Sequence, residues 1–144
     1  VALLRLHGDC HASNVLWIEE ADAKQGDPLR SAGPHFVDFD DSRTGPAVQD
    51  LWMLLSGDRA SMQSQLASVL AGYEDFCEFD TRELYLVEAL RTLRLLHYSA
   101  WLARRWNDPA FPAAFPWFNT QRYWQDRVLE LREQIALLDE PPLW

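Results

Sequence analysis

His7-Gly8-Asp9-Cys10-His11-Ala12-Ser13-Asn14 sets a carboxylate and, five residues on, a carboxamide in a polar stretch of small residues. A hydroxyl is a weak nucleophile, so a reaction that uses one needs a carboxylate to orient it and accept its proton as the new bond forms. Asp9 is the candidate for that task. The oxygen of an amide meets a second need, a hard ligand for a divalent cation that neutralises the negative charge of a phosphoryl group in transit. Asn14 is the first candidate ligand. A second lies in Phe36-Val37-Asp38-Phe39-Asp40-Asp41, where an apolar run ends in Asp38 followed by an aromatic residue. Asp50 is a third carboxylate, near the start of a helix just downstream.

The elements that must position these groups come in two kinds. The first 41 residues are β-rich. Val1 to Leu6 reads as a short strand, His7 to Asn14 as a loop and Val15 to Ile18 as a second strand. Glu19 to Pro34 carries Gly26, Asp27, Pro28, Gly33 and Pro34 and reads as a long polar connection. His35 to Asp38 resumes as a strand, so an antiparallel hairpin is expected around that connection.

The remainder, 45–140, reads as helical. Gly45-Pro46 starts a helix with Val48, Leu51, Trp52 and Leu55 on one face, ended by Gly57. A second spans about Arg59 to Phe76, with Leu66, Val69, Leu70 and Tyr73 inward. Asp80-Thr81-Arg82-Glu83 resembles a capping box that opens a third helix running to about Trp106. That helix is apolar on more than one side, which predicts a buried central position. Asp108 to Trp117, with three prolines, reads as irregular. A last helix from about Thr120 to Leu138 is expected to face inward through Trp124, Val128, Leu131, Ile135 and Leu138. No repeat or low-complexity tract is present.

Each candidate has a plainer reading. Asp9, Asn14 and Asp38 taken singly are loop residues making turns; their order along the chain favours chemistry. His7, Asp9 and His11 are a poor transition-metal set, because no further ligand pair follows. His11 reads as a hydrogen-bonding loop residue, Cys10 as an inert thiol, and Asp40 and Asp41 as a solvated turn with Arg43 pairing to one of them. His97 and Tyr98 read as core or groove residues. Arg104 and Arg105 with Trp117, and Phe118 as a wall, read equally as an acceptor groove or as helix-end charges with aromatics packed between helices.

The ordered set resembles the aminoglycoside phosphotransferase and choline kinase superfamily, in which the loop reads HGDxHxxN and the metal strand ends in Asp-aromatic-acid. Closer similarity to a bacterial Ser/Thr kinase branch is carried by Leu6 to Ala12, Gly45 to Leu55, Arg104-Arg105-Trp106, Asp108 to Pro112 and Glu140-Pro141-Pro142. Asp40 stands where kinases place Gly after the Asp-aromatic pair, and the 19–34 connection is longer than that branch needs. The resemblance implies the C-terminal lobe of a protein kinase-like fold, α+β and mostly α, with a short β-hairpin carrying the catalytic loop on a helical bundle. It implies Asp9 as catalytic base, Asn14 and Asp38 as Mg²⁺ ligands, His7 and Asp50 as supports of the loop, and ATP as phosphoryl donor. The implied acceptor is a protein Ser/Thr or, as the alternative, a small-molecule alcohol. A non-catalytic interaction module keeps the lobe without the chemistry.

The only lysine, Lys24, lies in the long connection, and no Gly-rich phosphate loop precedes His7. With Val1 opening on a strand, the sequence is expected to begin inside a larger protein whose N-terminal ATP-binding lobe lies upstream, and the piece alone is expected to be inactive. Composition agrees with a folded domain: 144 residues, 48% hydrophobic, with 7 Trp. A net charge of −9 argues against a nucleic-acid surface. No apolar run reaches the ~20 residues of a membrane span. The 2 Cys form no CxxC pair, so reduced thiols and a cytoplasmic location are expected.

Overall fold

The computed structural model describes residues 1–143 as two compact units, one of Val1–Leu84 joined by Leu143, the other of Tyr85–Pro142. The class is α+β and mostly helical, with two small antiparallel sheets.

The first unit holds every strand. β1 (Leu4–Leu6) pairs with β4 (Arg43–Gly45), in the register Leu4 to Gly45 and Leu6 to Arg43. β2 (Val15–Ile18) pairs with β3 (Gly33–Phe36), in the register Val15 to Phe36 and Ile18 to Gly33. The expected hairpin around the long connection therefore forms, two residues earlier on its second strand. The loop bearing Asp9 is not within it; it runs between two separate sheets, from β1 to β2. The connection folds into two 3-10 turns, Glu20–Asp22 and Pro28–Arg30, the second capped by the Asp27 carboxylate accepting from Leu29 N–H at 3.0 Å.

The helix after Gly45-Pro46 is shorter than its apolar face predicts. α1 covers Val48–Leu51 and passes into a 3-10 turn at Trp52–Leu54. α2 (Arg59–Glu74) starts on Asp58, whose carboxylate accepts from Ser61 N–H at 2.8 Å, a conventional N-cap. Among the described residues, Leu6, Cys10, Ala47, Val48, Met53, Leu66, Phe79, Leu84 and Leu143 are the buried apolar residues of this unit.

The second unit packs α3 (Val87–Arg105), α4 (Ala110–Ala114) and α5 (Gln121–Leu138) around Leu102, Phe118 and Tyr123, with Trp101, Trp106, Phe111 and Phe115 against them. Four expectations need correction. The stretch 108–117 contains α4, because Pro109 precedes it and Pro112 sits in its first turn, where no intrahelical N–H bond is required. α3 is not buried all round: Leu93 is 61% and Leu96 50% exposed. α5 buries Tyr123 and Gln134 and leaves Trp124, Val128, Ile135 and Leu138 exposed. Its inner face is polar because Gln134 donates to the Glu88 carboxylate at 2.6 Å and the Glu88 carbonyl at 3.1 Å, and Arg127 pairs with Glu130. Finally, Asp80 to Glu83 is no capping box. Asp80 accepts from Arg82 N–H at 3.0 Å and binds its guanidinium, while the Glu83 side chain leaves for another helix.

Candidate functional site

The loop from β1 to β2 is held from three directions. Beneath it, Asp50 on α1 accepts His7 N–H on one carboxylate oxygen at 2.7 Å and Gly8 N–H on the other at 2.9 Å. Two charge-assisted bonds to consecutive amides fix the backbone where the chain leaves β1. Gly8 is at φ +89°, and a Cβ there would collide with the Asp41 carbonyl oxygen. Only glycine permits both that dihedral and that approach.

His7 joins the loop to the end of the β2–β3 hairpin. Its Nδ1 accepts Asp9 N–H at 3.3 Å, which leaves the ring proton on Nε2, and Nε2 donates to the Val37 carbonyl at 2.7 Å. Phe39 packs on the imidazole at 4.6 Å between centroids. With both ring nitrogens engaged, His7 has none to offer a metal. Among the described residues no group of three or more His, Cys, Asp or Glu gathers as a metal cluster.

Asn14 closes the circuit. Its Nδ2 donates to the Asp9 carbonyl at 3.0 Å, and its own carbonyl accepts Val37 N–H at 3.0 Å. Asn14 ends a 3-10 turn (Ala12–Asn14) and is buried. Because the amide nitrogen is the internal donor, Oδ1 is the atom left for an outside partner. Asp38 follows Val37 directly. It is exposed, sits in the left-handed region at φ 63°, ψ 65°, and among the described residues its carboxylate has no hydrogen-bond or ion-pair partner. A non-glycine residue held there stores backbone strain, a condition that clusters at functional sites.

Asp9 and Asp38 thus leave one hydrogen-bonded knot that also contains Asn14, through the bonds His7–Val37, Asn14–Asp9 and Val37–Asn14. The Asp9 carboxylate is half-buried, with His11 Nε2 3.3 Å from its Oδ2. Cys10 is buried beside it, and desolvation, with Asp50 and Asp9 nearby, pushes its thiol up to about 11. It is an unreactive protonated thiol at neutral pH. Arg43 pairs with Asp41 at 3.4 Å, as expected for that exposed turn.

The sequence reading missed Glu83. It is 3% exposed, and its carboxylate accepts Val48 N–H at 2.9 Å at the start of α1. The signal was present, since Glu83 sits in a run with apolar residues after it, but the local cap pattern offered a nearer partner.

In the second unit, Arg105 lies over the Trp101 ring at 4.8 Å, and Tyr98 stacks on both Trp101 and Trp117, at 6.2 and 6.5 Å. Arg104 and Trp117 are exposed. Phe118 is 4% exposed and belongs to the core, so it is no groove wall.

Known proteins are similar to this chain over nearly its whole length. Over 142 residues it is 52% identical to stress response kinase A of Salmonella choleraesuis (strain SC-B67), covering 99% of this chain and 39% of that protein. It is 52% identical, with the same coverage, to serine/threonine protein kinase RdoA of Salmonella typhimurium. It is 52% identical over 141 residues to stress response kinase A of Escherichia coli K12, covering 98% of this chain and 39% of that protein. The chain therefore spans well under half the length of these curated relatives. Residues 2–87 match the profile of the phosphotransferase enzyme family, a span that takes in the whole knot from His7 to Asp50 together with Glu83, and the chain belongs to that family.

Proposed function

We propose that this chain is the C-terminal lobe of a protein kinase-like fold and carries the base and metal ligands of an ATP-dependent Ser/Thr protein kinase. Asp9 orients the acceptor hydroxyl and takes its proton as the oxygen attacks the γ-phosphorus and the bond to the ADP oxygen breaks. Asn14 Oδ1 and the Asp38 carboxylate are the ligands offered to Mg²⁺, which when bound neutralises charge on the phosphates. Their chemistry fits: both present oxygen, the Asn14 nitrogen is spent on Asp9, and the Asp38 carboxylate has no partner of its own among the described residues. His7 and Asp50 hold the loop. The observation that carries the reading is the closed circuit of hydrogen bonds that ties Asp9, Asn14 and Val37-Asp38 to one backbone arrangement.

A kinase site also needs groups on the far side of the nucleotide, a Gly-rich cover and a strand lysine paired to a helical glutamate. Lys24, in the β2–β3 connection, is the only lysine. We read those groups as belonging to a further, N-terminal lobe, and the site as working in the cytoplasm, where both thiols stay reduced. The named kinases that the chain resembles support a protein acceptor.

The test is γ-phosphoryl transfer by the intact protein, with residues 1–144 alone as comparison. Wild type is expected to transfer, the 144-residue piece to show no appreciable activity, and Asp9→Asn to lose about 10²–10⁴-fold in kcat. Transfer to aminoglycosides or choline but not to protein moves the acceptor to small alcohols. Equal Mg²⁺ affinity in wild type and Asp38→Ala, with no transfer to any acceptor, leaves an interaction module.

A further inference from the structure

The loop that bears Asp9 is only as well placed as Asp50, and Asp50 stands on a helix of four residues, α1. One turn of helix is too short to hold its own course, because the bonds that propagate a helix have barely begun. Something else must fix it. Its last residue runs into a 3-10 turn, and its first residue, Val48, is fully buried. There Val48 N–H, which has no partner within the helix, meets the Glu83 carboxylate at 2.9 Å, from 35 residues further along the chain.

Glu83 is itself well held. Its backbone N–H donates to the Asp80 carbonyl at 2.8 Å, and Asp80 is clamped by the Arg82 guanidinium at 2.7 Å. A carboxylate on a residue 3% exposed is costly to bury, and one hydrogen bond to a backbone amide, the one it makes among the described residues, is a narrow return unless position is what it secures. A continuous line of contacts runs from Glu83 to the Val48 amide, from α1 to the Asp50 carboxylate, and from Asp50 to the amides of His7 and Gly8, next to Asp9.

We infer that Glu83 is a positioning residue for the Asp9 loop: by pinning the first turn of α1 it fixes where the Asp50 carboxylate stands, and through Asp50 the backbone that aims Asp9. The link to catalysis rests on the reading of Asp9 as the reacting carboxylate; the link to loop geometry does not.

Glu83→Ala and Glu83→Gln in the intact protein separate the possibilities, because glutamine keeps a carbonyl oxygen to receive Val48 N–H and alanine keeps none. Amide hydrogen exchange is followed at Val48, His7 and Gly8, with the β2–β3 ladder as internal reference, beside kcat and KM for ATP. In Glu83→Ala the His7 and Gly8 amides are expected to exchange at least about tenfold faster while the ladder keeps its protection, and kcat to fall about 10–100-fold with KM for ATP changed less than about twofold. Glu83→Gln is expected to lie between wild type and alanine on both scales. If the alanine variant does not fold, glutamine decides alone. Wild-type exchange at His7 and Gly8, or acceleration spread equally over the ladder, overturns the inference. An intact wild type that transfers no phosphoryl group at all sinks the kinase reading, and the exchange result still decides the role of Glu83.

Discussion

Asp50 and Gly8 stand 42 residues apart in the chain, and the Gly8 amide donates to the Asp50 carboxylate at 2.9 Å, beside the His7 amide at 2.7 Å on the other oxygen. Asp50→Ala leaves two amides without acceptors. It is expected to cost about 2–4 kcal/mol, from the usual penalty of an unmet donor opposite a charged partner. Asp50→Asn keeps one acceptor oxygen and turns an NH₂ toward the second amide, so about half that loss is expected. Equilibrium urea unfolding measures both.

Gly8 and Gly26 share nearly the same dihedral, φ +89° and +87°, yet a Cβ at Gly8 meets the Asp41 carbonyl and a Cβ at Gly26 meets nothing within 4 Å. Gly26→Ala is expected to cost only the left-handed penalty, about 1 kcal/mol. Gly8→Ala is expected to cost clearly more and to disrupt the Asp9 loop. Similar melting temperatures for the two variants would contradict the close approach seen here.

Asp38 combines backbone strain with a proposed ligand role, and the two can be pulled apart. Asp38→Gly relieves the left-handed conformation and is expected to leave stability unchanged or raise it by up to about 1 kcal/mol. The same change removes a proposed Mg²⁺ ligand, so metal affinity is expected to fall at least about tenfold in a Mg²⁺ titration. Asp38→Val, which loses the ligand and worsens the strain, should lose on both counts.

Cys10 and Cys77 should be kinetically distinct. Cys77 is exposed, whereas Cys10 is buried with its thiol pushed up to about 11. At pH 8 an aromatic disulfide reagent is expected to label one thiol quickly and the other only as the fold opens. The sign of the stability effect follows from the raised value. The protonated thiol is favoured in the folded state, so its contribution is intact below the ordinary value of 9.0 and is lost as pH rises through about 11. Cys10→Ser should flatten that alkaline fall.

A role of Arg104 and Trp117 in an acceptor groove, the reading set beside plain packing above, would have its own signature. Arg104→Ala or Trp117→Ala is expected to raise KM for a protein acceptor about 3–10-fold while leaving KM for ATP unchanged, the pattern of lost uniform binding. Trp101→Ala, which removes a ring from the core and from beneath Arg105, should instead destabilise the unit.

Much of the candidate site's geometry is legible in the sequence because its groups lie close together along the chain. Asp9 and Asn14 share one loop, Asp38 follows the end of one strand by two residues, and the hairpin before it closes over a connection visible from its Gly and Pro residues. What the sequence hid was set by distant partners. No local pattern shows that β1 pairs with β4, whose innermost pair, Leu6 and Arg43, stands 37 positions apart in the chain. Glu83 read as the far end of a capping box because Asp80 was near, yet its carboxylate found the Val48 amide in the interior. On α5 the apolar stripe of Trp124, Val128, Ile135 and Leu138 was assigned inward by periodicity. The helix instead turns Tyr123 and Gln134 inward, since Gln134 has Glu88 and Tyr123 has Ser99 to bond.

That outward stripe bears on how the molecule behaves in water. Trp124, Val128, Ile135 and Leu138 form a greasy seam along one side of an 18-residue helix, on a chain that carries nine surplus negative charges. Mutual repulsion keeps such molecules apart at low ionic strength, and its reach shrinks to roughly 3 Å in molar salt. Dissolved salt then weakens a force that opposes adhesion and leaves the seam untouched. Solutions of this chain should therefore turn cloudy on salting at concentrations where dilute buffer keeps them clear.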